Sequence, residues 1–269
     1  EEAKVVESYG GEMIFTPGDI VYSSTSLLNL SQPKIETYKL IHLMENNKIT
    51  FEALRKSLKK IKKIKIHVVG DTVIDSYTRT NLIGGYTKAP IPSVLYQDNN
   101  DYVGGAGIVA KHLKSSGAKV SFTTVLGNDK LKNFVIKEIK KSKIKLNAII
   151  DKTRHTTNKN TIVSGGYKLL KIDKLDNQPI SEKITNKIQF YIKKEKTDAI
   201  IFSDFRHGIF NKTNISLFIL SINKGVFRAA DSQVATRWGN ITDFKNFDLI
   251  TPNERETRFS LADQDSNIS

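Results

Sequence analysis

The chain has 269 residues, 39% of them apolar, and no cysteine. No apolar run approaches the ~20 residues of a bilayer-spanning helix, and neither a disulfide nor a thiolate metal site can form, as expected of a cytoplasmic protein with no membrane partner. The net charge of +14 (42 Lys and Arg against 28 Asp and Glu) lacks the interleaved aromatics of a nucleic-acid surface, so no specific nucleic-acid partner is expected.

Glu1-Glu2-Ala3-Lys4 has no initiator Met and reads as a cut edge. Ala3 to Tyr9 reads as a helix end, Glu12 to Thr16 as a strand, and Tyr22-Ser23-Ser24-Thr25-Ser26 as a hydroxyl-capped helix start. Lys34 to Glu45 and Thr50 to Lys60 are predicted helices joined by Asn46-Asn47. The densest basic run, Arg55 to Lys65, has Leu54, Leu58 and Ile61 at helical spacing and reads as a solvated amphipathic helix entering a strand. An anion-attracting patch, or steering of phosphorylated substrates, is the alternative use of that charge.

From Ile64 the pattern alternates. Buried strands are predicted at Ile64–Val69, Val120–Val125, Ala148–Ile150, Ala199–Phe202, Val226–Ala230 and Asp248–Ile250. Helices fall near Ile108–Ser115, Leu131–Lys140, Ser181–Glu195 and Thr213–Ile222. This is an α/β pattern, a mainly parallel sheet with helices on both faces. Tyr77–Tyr96 and Asn160–Asp173 read as exposed β-ribbons, a small lid over the sheet's carboxyl edge. The expected organisation is a remnant over 1–30, a helical linker over 31–63 and one domain over 64–269.

Two segments carry chemistry. Val69 to Asp75 closes a strand on two carboxylates, Asp71 and Asp75; Asp75 can accept hydrogen bonds from sugar hydroxyls, or the pair can simply cap a turn. Gly104-Gly105-Ala106-Gly107 opens a helix, as a tight turn or as a backbone that approaches a bound sugar or phosphate. Gly105 to Ala110 also fits G-x-G-x-x-A, but Gln97 to Tyr102 reads as a polar loop where a dinucleotide fold needs a buried strand. His42, His67, His112, His155 and His207 show no metal-ligand spacing.

Gly70-Asp71-(x3)-Asp75, Ala89-Pro90-Ile91-Pro92, Gly104-Gly105-Ala106-Gly107 and Gly117-Ala118 occur in that order. Ser203-Asp204-Phe205-Arg206-His207-Gly208, Asp231-Ser232-Gln233 and Leu249 to Glu256 follow. Together, over about residues 62–260, they resemble a ribokinase-like (PfkB-type) carbohydrate kinase, most closely the heptose-phosphate kinase part of bifunctional kinase/nucleotidylyltransferases. The resemblance implies ATP-dependent phosphorylation of a sugar or sugar phosphate in nucleotide-sugar precursor synthesis, with Mg²⁺ as cofactor. It places Asp75, Gly104, Gly105, Lys159 and Asp204 around the sugar. Asn253, Glu256 and Asp231 fall at the nucleotide and its Mg²⁺, with Glu256 acting on the metal through water. Locally, Asn253 to Glu256 also reads as a helix N-cap. Ile108, Lys88 and Asn158-Lys159-Asn160-Thr161 depart from the family pattern, so the sugar is not named by it.

The family's catalytic aspartate lies in a Gly-Ala-Gly-Asp helix start that residues up to Ser269 do not contain. No catalytic residue is therefore expected within this chain, nor turnover by it alone. Tyr9-Gly10-Gly11-Glu12 and Ser23-Ser24-Thr25 resemble the end of a cytidylyltransferase-type domain, whose Ser-Ser-Thr helix start contacts nucleotide phosphates. The rival readings are a nucleotidylyltransferase with a scaffold kinase-like part and a non-catalytic sugar- or nucleotide-binding protein. Exposed strands such as Ser93–Tyr96 lead to an expected homodimer through the lid.

Overall fold

The computed structural model describes residues 32–85, 91–233, 241–263 and 265–266. The readings on Ser23, Ser24 and Thr25, and on Ala89-Pro90, lie outside them. The chain divides into two compact units, Glu1–Ser57 and Leu58–Ser269.

Helices α1 (Gln32–Asn46) and α2 (Phe51–Ile61) come first. Then follow β1 (Lys65–Gly70), β2 (Thr72–Gly85), β3 (Pro92–Gly105), α3 (Ala106–Ser115), β4 (Lys119–Gly127), α4 (Lys130–Lys141) and β5 (Lys145–Asp151). The lid strands β6 (Asn158–Ser164) and β7 (Tyr167–Lys174) precede α5 (Glu182–Lys194), β8 (Ala199–Asp204) and α6 (Lys212–Leu220). The described part closes with β9 (Phe227–Ser232), β10 (Leu249–Ile250) and α7 (Glu254–Leu261). No described helix is long and apolar enough to cross a membrane.

Six strands form one parallel sheet in the order β10-β9-β8-β1-β4-β5. Its strands are apolar on both sides because each side meets a helix layer. On β1, Ile66 and Val68 pack with Ala106, Ala110, Val135 and Ile139 of α3 and α4. Val69 joins the opposite core, with Ile188 of α5 and Ile215 and Phe218 of α6. Phe202 anchors that second core, its ring 5.4 Å from Phe210 and 5.5 Å from Phe247. All six strands point the same way, so Gly70, Asp204, Ser232 and Ile250 end on one edge, where open α/β sheets bind ligands.

The second sheet, β3-β2-β6-β7, is larger than the two ribbons expected over Tyr77–Tyr96 and Asn160–Asp173. β2 and β3 pair antiparallel from Thr72 to Gly105, and β2 pairs parallel with β6. Two expectations are corrected by it. Gln97 to Tyr102 is strand, not loop: its polar side chains bond across to β2, Asp98 to Arg79 and Asn99 to Thr78, so side-chain pairing replaces burial as the source of strand order. Asp75 lies inside β2 rather than in a capped turn, because the chain resumes as strand at Thr72, directly after Asp71. The strand before Gly105 is antiparallel and largely exposed, so it still does not form the buried parallel unit of a dinucleotide fold.

Candidate active site

Asp75 and Gly104 meet where β2 pairs antiparallel with β3. A Cβ placed on Gly104 would come 2.1 Å from Asp75 Oδ2, so the half-buried carboxylate lies directly on the glycine backbone. No other described side chain donates to it, which leaves both oxygens to accept from a ligand. Gly105 turns at φ 58 beneath Asp71, whose carbonyl accepts the Ala106 N–H at 2.8 Å and starts α3. Lys159 on β6 stands in direct register with Asp75.

The strand-edge acids form a second group. Asp71 is buried, and its Oδ2 accepts the backbone N–H groups of Phe205 (3.0 Å) and His207 (3.2 Å). It therefore clamps the loop after β8. Asp204 is fully buried, held by Arg206 Nη1 at 2.8 Å, the Arg206 backbone N–H at 2.8 Å and Ser232 Oγ at 2.8 Å. These bonds hold Arg206 at φ 63, a left-handed backbone that a non-glycine residue adopts at a cost of about 1–2 kcal/mol. Burial and the neighbouring Asp204 push the Asp71 carboxyl up to about 7. Burial likewise raises Asp204.

Asp231 is the penultimate residue of β9, and its carboxylate accepts the Thr251 hydroxyl at 3.2 Å. Burial raises it, and repulsion from Glu256 and Asp204 adds to the rise. Asn253 and Glu256 close a capping box at the start of α7: Asn253 Oδ1 accepts the Glu256 N–H at 2.9 Å, and Glu256 Oε2 accepts the Asn253 N–H at 2.8 Å. Each thus keeps only part of its hydrogen-bonding capacity for a ligand. No group of three or more His, Asp or Glu among the described residues is placed to cage a metal. The mutual repulsion of Asp231 and Glu256 does fit a cation held nearby through water and phosphate oxygens.

The sequence marks Asp71 only as a strand-end carboxylate, and Arg206 and His207 only as part of a motif; their positions here make them functional candidates. His207 Nδ1 lies 2.9 Å from Asn177 Oδ1, its buried Nε2 has no hydrogen-bond partner among the described residues, and burial, with Lys159 nearby, lowers it to about 4. Burial also holds His67 down at about 4.

The sign of the Asp71 shift gives a measurable consequence. Its folded value lies above its unfolded 3.8, so the native state holds the extra proton and Asp71 loses stability as pH rises from about 4 to about 7. In Asp71→Asn, thermal melts should show a flatter decline, or a steeper rise, across that window than in the wild type. Parallel melting curves for the two proteins would contradict the assignment.

A parallel α/β sheet with an acidic carboxyl edge and a four-stranded lid places these groups where open α/β folds bind ligands. The pfkB family carbohydrate kinase model matches residues 63–268, and the chain belongs to that family. It is 26% identical over 209 residues to the bifunctional protein HldE of Sulfurimonas denitrificans, covering 75% of this chain and 43% of that one. With HldE of Helicobacter pylori strain P12 it shares 29% over 221 residues, 76% of this chain and 45% of the relative. The chain thus spans less than half the length of these curated relatives. Among solved structures, the tetrameric inhibited form of phosphofructokinase-2 from Escherichia coli superposes with a TM-score of 0.60 at 13% identity, over 76% of this chain and 66% of that one.

Proposed function

We propose that this chain carries the sugar-holding half of an enzyme that transfers the γ-phosphoryl group of ATP to a hydroxyl of a sugar or sugar phosphate, with a heptose phosphate as the nearest substrate. The observation that carries the reading is the Asp75 carboxylate, without a side-chain donor among the described residues, seated on Gly104, a short span of chain from the buried Asp71–Asp204 edge. In the reaction a sugar oxygen bonds to the γ-phosphorus, the bond to the β,γ-bridging oxygen breaks, and the hydroxyl proton passes to a base. Asp75, Gly104, Gly105 and Lys159 orient the sugar; Asp204 shapes the cleft floor; Asp231, Asn253 and Glu256 face the nucleotide. Bound Mg²⁺ would neutralise phosphate charge, with Glu256 and Asp231 nearest to it through water.

We assign no base among the described residues. The setting is nucleotide-sugar precursor synthesis in the cytoplasm, and Ser23, Ser24 and Thr25 belong to the end of a nucleotidylyltransferase-like segment. The test is ATP-dependent phosphorylation of sugars and sugar phosphates by the full-length protein, followed by ³¹P NMR. One ADP should form per phosphorylated sugar. Sugar-independent ATP hydrolysis, or pyrophosphate release alone, would refute the kinase reading.

The same proposal includes a homodimer through the lid. β3 is an edge strand, and Leu82, Ile91, Leu95 and Tyr96 on the lid hairpin are all more than half exposed. Light scattering should give twice the 30.3 kDa chain mass, and Leu95→Pro should return it to the monomer. A wild-type monomer at micromolar concentration would remove the dimer from the account.

A further inference from the structure

The lid joins the sheet at four junctions: Asp71 between β1 and β2, the Gly105–Ala106 bond between β3 and α3, residues 152–157 between β5 and β6, and residues 175–181 between β7 and α5. Junctions of this kind act as hinges unless something ties them together. One loop, residues 205–209 after β8, gathers the ties. Asp71 Oδ2 accepts its Phe205 and His207 N–H groups at 3.0 and 3.2 Å. The Gly208 carbonyl accepts the Ile180 N–H at 3.1 Å, and Asn177 Oδ1 lies 2.9 Å from His207 Nδ1. The Asp71 carbonyl accepts the Ala106 N–H, so the second junction is bound to the first.

Arg154 makes the remaining tie, from the third junction, with its side chain only 8% exposed. Its guanidinium donates in three directions: Nε to Asp151 Oδ2 at 2.9 Å, Nη1 to the His207 carbonyl at 3.1 Å and Nη2 to the Gln178 carbonyl at 3.1 Å. Asp151, the last residue of β5, is itself buried and also accepts the Thr153 N–H at 2.9 Å and hydroxyl at 2.6 Å. The two carbonyls belong to segments in direct backbone contact. Gly208 sits at φ 98, and a Cβ there would come 2.1 Å from the Gln178 oxygen and 3.0 Å from Arg154 Nη1. The planar fork of an arginine donates to both carbonyls and the carboxylate at once; the single ammonium of a lysine does not reproduce that geometry.

We infer that Arg154 is a positioning residue for the transfer: it fixes the lid base, with Asp75 and Lys159, against the strand edge at Asp204. The inference rests on the sugar-kinase reading and adds to it a residue that touches neither substrate. A buried ion pair often stabilises a fold no better than apolar side chains of similar volume, so stability alone does not account for this one. Its three-way geometry does. The fork locks the segment entering β6 and the segment leaving β7 onto the loop that follows Asp204. Loosening that lock lets the sugar hydroxyl drift out of line with the phosphoryl group, and a shift of about 1 Å costs about 100-fold in rate.

Arg154→Lys in the full-length protein tests this, because it keeps the charge and loses the fork. ADP formation is followed with Mg·ATP and fructose 6-phosphate, mannose 6-phosphate or sedoheptulose 7-phosphate. With the best of the three, kcat should fall at least about tenfold while KM for the sugar phosphate and for ATP stays within about threefold. Hydrogen exchange of the 269-residue chain gives a second readout that needs no substrate. Arg154→Lys should speed exchange at Ile180, Phe205 and His207 at least about tenfold and leave Val68 and Phe122, paired in the sheet, unchanged. The inference is overturned if kcat falls less than that, if the loss lies in KM alone, or if the loop amides keep their wild-type rates. It is equally overturned if the sheet amides speed up as much as the loop amides, which would make Arg154 a general stabiliser. An active wild type with an unaffected Arg154→Lys removes only the positioning role. A wild type that forms no ADP with any of the three sugars sinks the sugar-kinase reading, whatever the exchange shows.

Discussion

Asp75→Ala should weaken sugar binding by at least about 100-fold while leaving the fold's stability nearly unchanged. Both halves of that result follow from the same geometry. The carboxylate is half-buried, sits on Gly104 and accepts nothing from other described side chains, so its removal orphans no internal donor. Its two oxygens are free to take two sugar hydroxyls. Hydrogen bonds to a charged acceptor are worth about 1.5–3 kcal/mol each, so losing two costs roughly 10²–10⁴ in affinity. Asp75→Asn keeps one acceptor oxygen and should fall between. Calorimetry with sedoheptulose 7-phosphate measures the loss, and thermal melting checks the fold. Unchanged affinity in Asp75→Ala would remove the residue from the site.

Gly105→Ala should be a strongly destabilising small substitution. The residue sits at φ 58, which alone costs an alanine about 1–2 kcal/mol. Its Cβ would also fall 2.4 Å from the Asp71 carbonyl oxygen and 2.9 Å from the Val73 nitrogen, both backbone atoms. Relief requires β2 and β3 to separate and the Ala106–Asp71 hydrogen bond to break. We expect a loss of roughly 3–5 kcal/mol, read by urea unfolding. Gly165 is the control, since it has φ 55 but nothing within 4 Å of the added Cβ. Gly165→Ala should cost only the backbone term, and equal losses in the two variants would show that crowding at Gly105 is unimportant.

The parallel sheet was legible because its strands are short apolar runs: Ile66, Val68 and Val69 on β1 and Ile200 and Phe202 on β8 all end in the core. The lid was only partly legible. Gln97 to Tyr102 looks like a loop because its order comes from side-chain pairs with β2, which composition does not display. Asp75 and Gly104 could be singled out as a carboxylate and a glycine. Their contact could not, since it depends on the β2–β3 pairing. Asp71's hold on Phe205 and His207 spans more than 130 residues of chain, beyond any local pattern.

The central claim is that one cleft has two halves, the lid base for the sugar and the far strand edge for the nucleotide. Hydrogen exchange of the 269-residue chain, measured separately with sedoheptulose 7-phosphate and with Mg·ATP, tests it most directly. The sugar should slow exchange over residues 72–77 and 102–107. Mg·ATP should slow it over 229–232 and 249–258, with no overlap between the two sets. Nucleotide protection centred on Gly104–Gly107, or sugar protection confined to 249–258, would contradict the account.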